Sequence, residues 1–200
     1  MKFSEFFSSK DNIKLDKKTL VILRWIAIFG QSGTIAFVYF YLKFELPILY
    51  CSIIILIGTL SNLYLQFNFK ENQLNNFTST FYLFYDLIQL SVLLYMTGGI
   101  TNPFVILLII PSIVSSTFLS LKSTINLSVT TIIVLFIITI DYQELPHSGD
   151  LHFHVPNYYL YSLPIAIAIG LIFLTYFGTR FGLESRKRTE ALNKLELILA

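Results

Sequence analysis

The stretch Thr97-Gly-Gly-Ile-Thr-Asn-Pro-Phe104 contains no charged side chain and joins two apolar runs, residues 81–96 and 105–121. A helix crossing a bilayer needs roughly 17–25 apolar residues, and each run approaches that length. A connection so short and uncharged belongs at the membrane surface, between two spanning helices that run in opposite directions. Reading this stretch as a membrane-surface turn decides the fold class: all-α and polytopic.

Working outward, the rest of the chain has the same character. Hydrophobic residues make up 54% of the 200 residues, charged residues only 13%, and mean hydropathy is +0.68. Soluble chains carry about a quarter charged residues. Six apolar runs are long enough to be spanning helices, at about 20–42, 46–66, 80–97, 103–121, 123–140 and 158–180. A run such as Thr131-Ile-Ile-Val-Leu-Phe-Ile-Ile-Thr-Ile140 would also suit a buried strand. Six of them leave too little polar surface to cover a soluble core. The first run is too long for a signal peptide and has no small-residue cleavage site after it, so it is expected to persist as the first spanning helix.

Basic residues predict the orientation. They collect before run 1 (Lys2, Lys10, Lys14, Lys17, Lys18), between runs 2 and 3 (Lys70), between 4 and 5 (Lys122), and after 6 (Arg180, Arg186, Lys187, Arg188, Lys194). The other side carries only Lys43, and the loop between runs 5 and 6 holds Asp141, Glu144 and Asp150. Lysine and arginine favour the cytoplasmic side, so both termini are expected there. The expected organisation is a cytoplasmic segment 1–19, a six-helix membrane domain 20–181 and a cytoplasmic linker helix 182–200. With the basic residues committed to topology, nucleic acid is not an expected partner.

Ionisable groups within a membrane need a partner or a cavity. Arg24 and Asp86 lie near the cytoplasmic starts of the first and third runs, at similar depth by the helical rise. Asn62, on the returning second run, reaches about the same level. An Arg24–Asp86 pair with Asn62 nearby is therefore expected; the alternatives are Arg24 snorkelling alone and Asp86 serving as an ion relay. Asp86 is twelve residues from Gly98, a rise of about 18 Å, too far to meet a ligand at the loop. Gln31 and Gln89 suit interhelical hydrogen bonds. His147, His152 and His154 lie beside Asp150 without a fourth ligand at defined spacing, so no metal site is expected. The single cysteine, Cys51, excludes an internal disulfide and suits apolar packing.

Local chemistry alone accounts for the 97–104 loop. Gly98 and Gly99 end a helix, Asn102 caps the next, and Pro103 fits its first position. The same residues also suit a flat lipid-soluble ring. The glycines would let the backbone approach it, the Asn102 amide would meet a carbonyl, and Phe104 would pack on its face.

The loop resembles the GGxxNPF signature of RegB/PrrB-type redox-sensing histidine kinases, matched at Gly98, Gly99, Asn102, Pro103 and Phe104. Leu23-Arg-Trp-Ile-Ala-Ile-Phe-Gly-Gln31 resembles that family's first membrane helix, and Asp86-Leu-Ile-Gln-Leu90 leading into Thr97-Gly-Gly99 resembles its third. The likeness runs in order through about residues 20–200. It implies a bacterial inner-membrane sensor module of a two-component system, sensing ubiquinone at Gly98, Gly99, Asn102, Pro103 and Phe104. It also implies a homodimer and a cognate response regulator reached through a kinase core. The tail agrees: Leu192, Leu195 and Leu199 have the spacing of a coiled-coil seam, too short to stand without continuation or a partner. No phosphoacceptor histidine, redox cysteine or nucleotide-binding loop of such kinases is matched, so the expectation is the sensor half of a longer kinase or a truncated relative. The alternatives are a small transporter or channel and a ligand-free membrane scaffold.

Overall fold

The computed structural model of the protein describes residues 15–68, 72–143 and 156–199. His147, His152, His154, Glu144 and Asp150, together with Lys2, Lys10, Lys14 and Lys70, lie outside the described residues. Helices dominate. In chain order they are α1 (Lys17–Ala36) with a π-helical extension Phe37–Tyr41, α2 (Ile48–Asn68), α3 (Asn76–Met96), a 3-10 segment (Pro103–Ile109) running into α4 (Ile110–Phe118), α5 (Leu121–Ile140) and α6 (Asn157–Leu199). Among the described residues, five helices are long and apolar enough to cross a membrane, and Pro103–Phe118 is a shorter apolar sixth.

The bundle is dressed as a hydrocarbon environment requires. Phe29, Phe40, Phe136, Ile140 and Phe173 are each about two-thirds or more exposed, while Asn62, Ser112, Ser115, Ser116 and Thr131 are fully buried. Without a hydrophobic drive between helices in lipid, close packing of small residues and interhelical hydrogen bonds must hold the bundle. Ser112 and Thr131 pair at 3.4 Å, and Ser115 and Thr124 at 3.1 Å.

Two devices tie the helix ends on one side. The short strand β1 (Leu15–Asp16) pairs antiparallel with β2 (Gln73–Leu74), and the Lys17 N–H donates to the Asn72 carbonyl at 2.9 Å. The Asn76 amide donates to the Ser120 and Ser123 hydroxyls at 3.0 and 2.9 Å, and its oxygen accepts from the Ser120 N–H at 2.9 Å. The starts of α1, α3 and α5 are thus fastened together, at the end that carries Lys17 and Lys122.

The fourth span differs from the regular helix expected over about 103–121. Pro111 has no N–H to serve the Leu107 carbonyl, which accepts from the Ile110 N–H in the tighter 3-10 pattern. That pattern also lengthens the segment. Seven residues at about 2.0 Å and nine at about 1.5 Å give roughly 27 Å, close to the thickness of the hydrocarbon core. The sixth span and the segment after it form one helix of 43 residues, with Pro164 inside it.

The backbones of α6 and α4 approach closely. A Cβ on Gly182 would lie 2.6 Å from the Thr117 carbonyl oxygen, and one on Gly178 would strike the Ser116 hydroxyl. Four residues apart on α6, these glycines let the two helices touch where any side chain would separate them.

Candidate functional site

Two polar centres occupy the bundle. The first is deep. Arg24 of α1 is 3% exposed and donates through Nε to both Asp86 carboxylate oxygens on α3, at 2.9 and 3.1 Å. Its Nη2 donates to the Ser61 hydroxyl on α2 at 3.1 Å. The guanidinium carbon stands 4.9 Å from the Tyr82 ring centroid and 5.5 Å from that of Tyr85. Aromatic faces favour a desolvated cation, so two rings and a carboxylate share one charge. Asn62 does not join the pair directly: its amide donates to the Val21 carbonyl at 3.3 Å, one helical turn away. Further along, Gln89 donates to Gln31 at 3.3 Å, and its side chain fills the space that Gly58 leaves open.

Sequence reasoning named Arg24, Asp86 and Asn62 but passed over Ser61, Tyr82 and Tyr85. The signal was there for Tyr82, four residues before Asp86 on the same helix face.

The second centre is the loop. Gly98 and Gly99 have positive φ, 106° and 53°, the left-handed region that ends a helix. Asn102 is bonded on every side. Its Nδ2 donates to the Thr97 carbonyl and the Thr97 hydroxyl, both at 2.9 Å, and its Oδ1 accepts from the Phe104 N–H at 2.9 Å. Both amide hydrogens therefore point at Thr97, and neither is free for a ligand carbonyl.

The chain after α5 closes one side of this loop. The Gln143 N–H donates to the Tyr95 carbonyl at 2.9 Å, and the Tyr142 side chain lies where a Cβ on Gly99 would be. Ile100 is fully buried, while Phe104 remains 39% exposed. Within residues 97–104, Pro103 and Phe104 are the exposed ones. Cys51 is buried and unbonded to any other cysteine. Among the described residues no cluster of three His, Cys, Asp or Glu side chains is placed to hold a metal.

An apolar skin, hydroxyl-lined helix contacts and an intramembrane ion pair define a polytopic helical membrane protein. Over 183 residues, 91% of the chain, it is 32% identical to the sensor histidine kinase RegB of Cereibacter sphaeroides. A second sensor histidine kinase RegB, from a strain of the same species, is 35% identical over 75 residues, covering 37% of this chain and 16% of that relative. No protein-family model matches, and no solved structure does. The similarity supports a RegB-type histidine kinase sensor region. The chain spans about two-fifths of the first relative's length, 40%.

Proposed function

We propose that this chain is the membrane sensor module of a two-component histidine kinase, reading respiratory redox state through quinone at the 98–104 corner. The observation that carries the reading is an unbroken path between that corner and α6. Asn102 caps the 3-10 segment, which runs into α4, whose far end touches α6 at Gly178 and Gly182. α6 then continues without interruption to Leu199. Both ends face the cytoplasm in this reading, following the basic residues at that side.

The corner offers a switch with two bonded states. A quinone carbonyl accepts hydrogen bonds, and Asn102 Nδ2 is the side-chain donor of the loop motif. To bond a ring carbonyl it must release a Thr97 oxygen, which loosens the hold of the loop on the end of α3. The ligand moves this equilibrium only through its different affinity for the two states. The 3-10 segment, α4 and then α6 carry the change. Leu192, Leu195 and Leu199, all more than half exposed, form the seam on which a second copy would pair. A kinase core beyond that seam would deliver the signal to a response regulator.

The test uses a longer protein that carries the kinase core in native membranes. Asn102→Ala is expected to abolish quinone photolabelling at residues 97–104 together with the redox response of autophosphorylation. Gly182→Leu is expected to leave labelling in place and remove the response. Labelling and response both unchanged in Asn102→Ala would overturn the reading.

A further inference from the structure

Gly99 is buried, and part of what covers it comes from the end of α5 and the residues just after it. A Cβ built on the glycine would strike Cβ and Cγ of Tyr142 and would lie 3.0 Å from the Ile138 carbonyl oxygen. Tyr142 thus lays the root of its ring on the face of the glycine where a side chain would stand. That ring is a phenol, close in chemistry to the flat, oxygen-bearing ring proposed for this corner. A ligand ring cannot take this face of Gly99 while Tyr142 is there.

Tyr142 is delivered by a short extended segment. α5 ends at Ile140, and the Asp141 N–H still reaches the Ile137 carbonyl at 3.0 Å. The Asp141 backbone has already left helical geometry, with φ −138° and ψ 127°. The segment is fastened at one residue of α3. The Gln143 N–H donates to the Tyr95 carbonyl at 2.9 Å, and the Tyr95 hydroxyl donates to the Asp141 carboxylate at 3.3 Å. Asp141 and Gln143 are exposed, and Tyr142 is half-buried. Segments held by solvent-exposed hydrogen bonds are those that open most readily in a folded chain.

We propose that Tyr142 is a built-in competitor for the ring site. Residues 141–143 form a strap that holds its side chain on Gly99 and lifts when a quinone ring takes that place. The inference rests on the quinone reading of the 98–104 corner and adds a regulator to it. With the strap down, the observed affinity is the intrinsic one reduced by the fraction of chains in which Gly99 is uncovered. Loosening the strap therefore tightens quinone binding, although it takes contacts away from the protein. A Tyr142 that served as a wall of the ring site would behave in the opposite way.

The test places the chain in nanodiscs and titrates a photoactivatable short-chain ubiquinone, with adducts at residues 97–104 mapped by mass spectrometry. Tyr95→Phe deletes the hydroxyl bond to Asp141 and leaves Tyr142 and the loop motif unaltered. It is expected to tighten binding roughly two- to three-fold, the low end of what one net hydrogen bond contributes. Tyr142→Gly is expected to tighten it further. On the native chain, where no variant has to fold, saturating ubiquinone is expected to quicken hydrogen–deuterium exchange of the Gln143 amide. Saturable labelling of the native chain with binding unchanged or weaker in Tyr142→Gly would overturn the strap alone. So would labelling accompanied by unchanged or slower exchange at Gln143. Absence of saturable labelling at 97–104 in both the native chain and Tyr142→Gly would overturn the strap and the quinone reading together.

Discussion

The Arg24 guanidinium lies against the Asp86 carboxylate inside the membrane domain, with Nε 2.9 Å from Oδ1. The contact joins α1 to α3, and the Ser61 bond draws α2 into the same cluster. Breaking a buried ion pair by removing one partner strands the other charge, and in proteins this costs about 3–5 kcal/mol. Replacing both partners with apolar residues of similar size removes the pair and its desolvation together.

Asp86→Leu alone and Arg24→Met alone are therefore each expected to lose about that much stability, whereas the double variant recovers more than half of the summed loss. Reversible unfolding in mixed detergent micelles measures all three. A double variant as unstable as the sum of the singles would show that the two charges act independently.

The glycines of α6 differ sharply in what surrounds them. Nothing lies within 4 Å of a Cβ built on Gly170, whereas on Gly182 it meets the Thr117 carbonyl, backbone that cannot swing aside. Gly182→Ala is expected to cost about 1–3 kcal/mol, as overpacking does. Gly170→Ala is expected to be neutral or to stabilise by up to about 1 kcal/mol through helix propensity. Thermal melts of the two variants in one detergent decide the matter, and equal shifts would remove the α4–α6 contact from the account.

Gly99 combines two constraints, a φ of 53° and the Tyr142 side chain over its Cα. Gly99→Ala is expected to lower stability by at least the ~1–2 kcal/mol that a left-handed conformation costs an L-residue. Adding Tyr142→Gly, which removes the Tyr142 Cβ that the new methyl would strike, should relieve the collision but leave the backbone strain, so only part of the loss returns. Full recovery in the double variant, measured by melting temperature, would mean that the backbone conformation carries no strain.

The two ends of the size scale were legible in the sequence, and the middle was not. Six apolar runs mark the helices because hydropathy and length are summed over some twenty residues, which averages out local irregularity. Arg24 and Asp86 are rare charges at matching depth, so the structural bond between them has few competitors. The 3-10 segment was invisible to hydropathy, since Pro103–Ile109 is as apolar as any regular helix. Pro111 was the available signal. The contact between α4 and α6 also went unread, although Gly178 and Gly182 stand four apart opposite Ser116 and Thr117. In lipid, spacing of small residues carries the packing information that apolar periodicity carries in water. The loop residues were named correctly as a turn, yet the saturation of Asn102 by Thr97 depends on dihedral angles that the sequence does not express.

That saturation gives the sharpest prediction for the proposed ligand. Thr97 offers Asn102 Nδ2 two acceptors, its carbonyl and its hydroxyl, and the hydroxyl is itself a donor to the Leu93 carbonyl at 2.7 Å. Thr97→Val keeps the shape and the carbonyl but deletes the hydroxyl, leaving one Asn102 hydrogen without its internal acceptor. A net hydrogen bond is worth about 0.5–1.5 kcal/mol, so a quinone carbonyl that competes for this hydrogen should bind roughly two- to ten-fold more tightly. Equilibrium titration with a short-chain quinone, read by protection from photolabelling at residues 97–104, measures the change. Weaker binding in Thr97→Val would mean that the hydroxyl helps to hold the ring, and the competition between Thr97 and ligand for Asn102 would have to be abandoned.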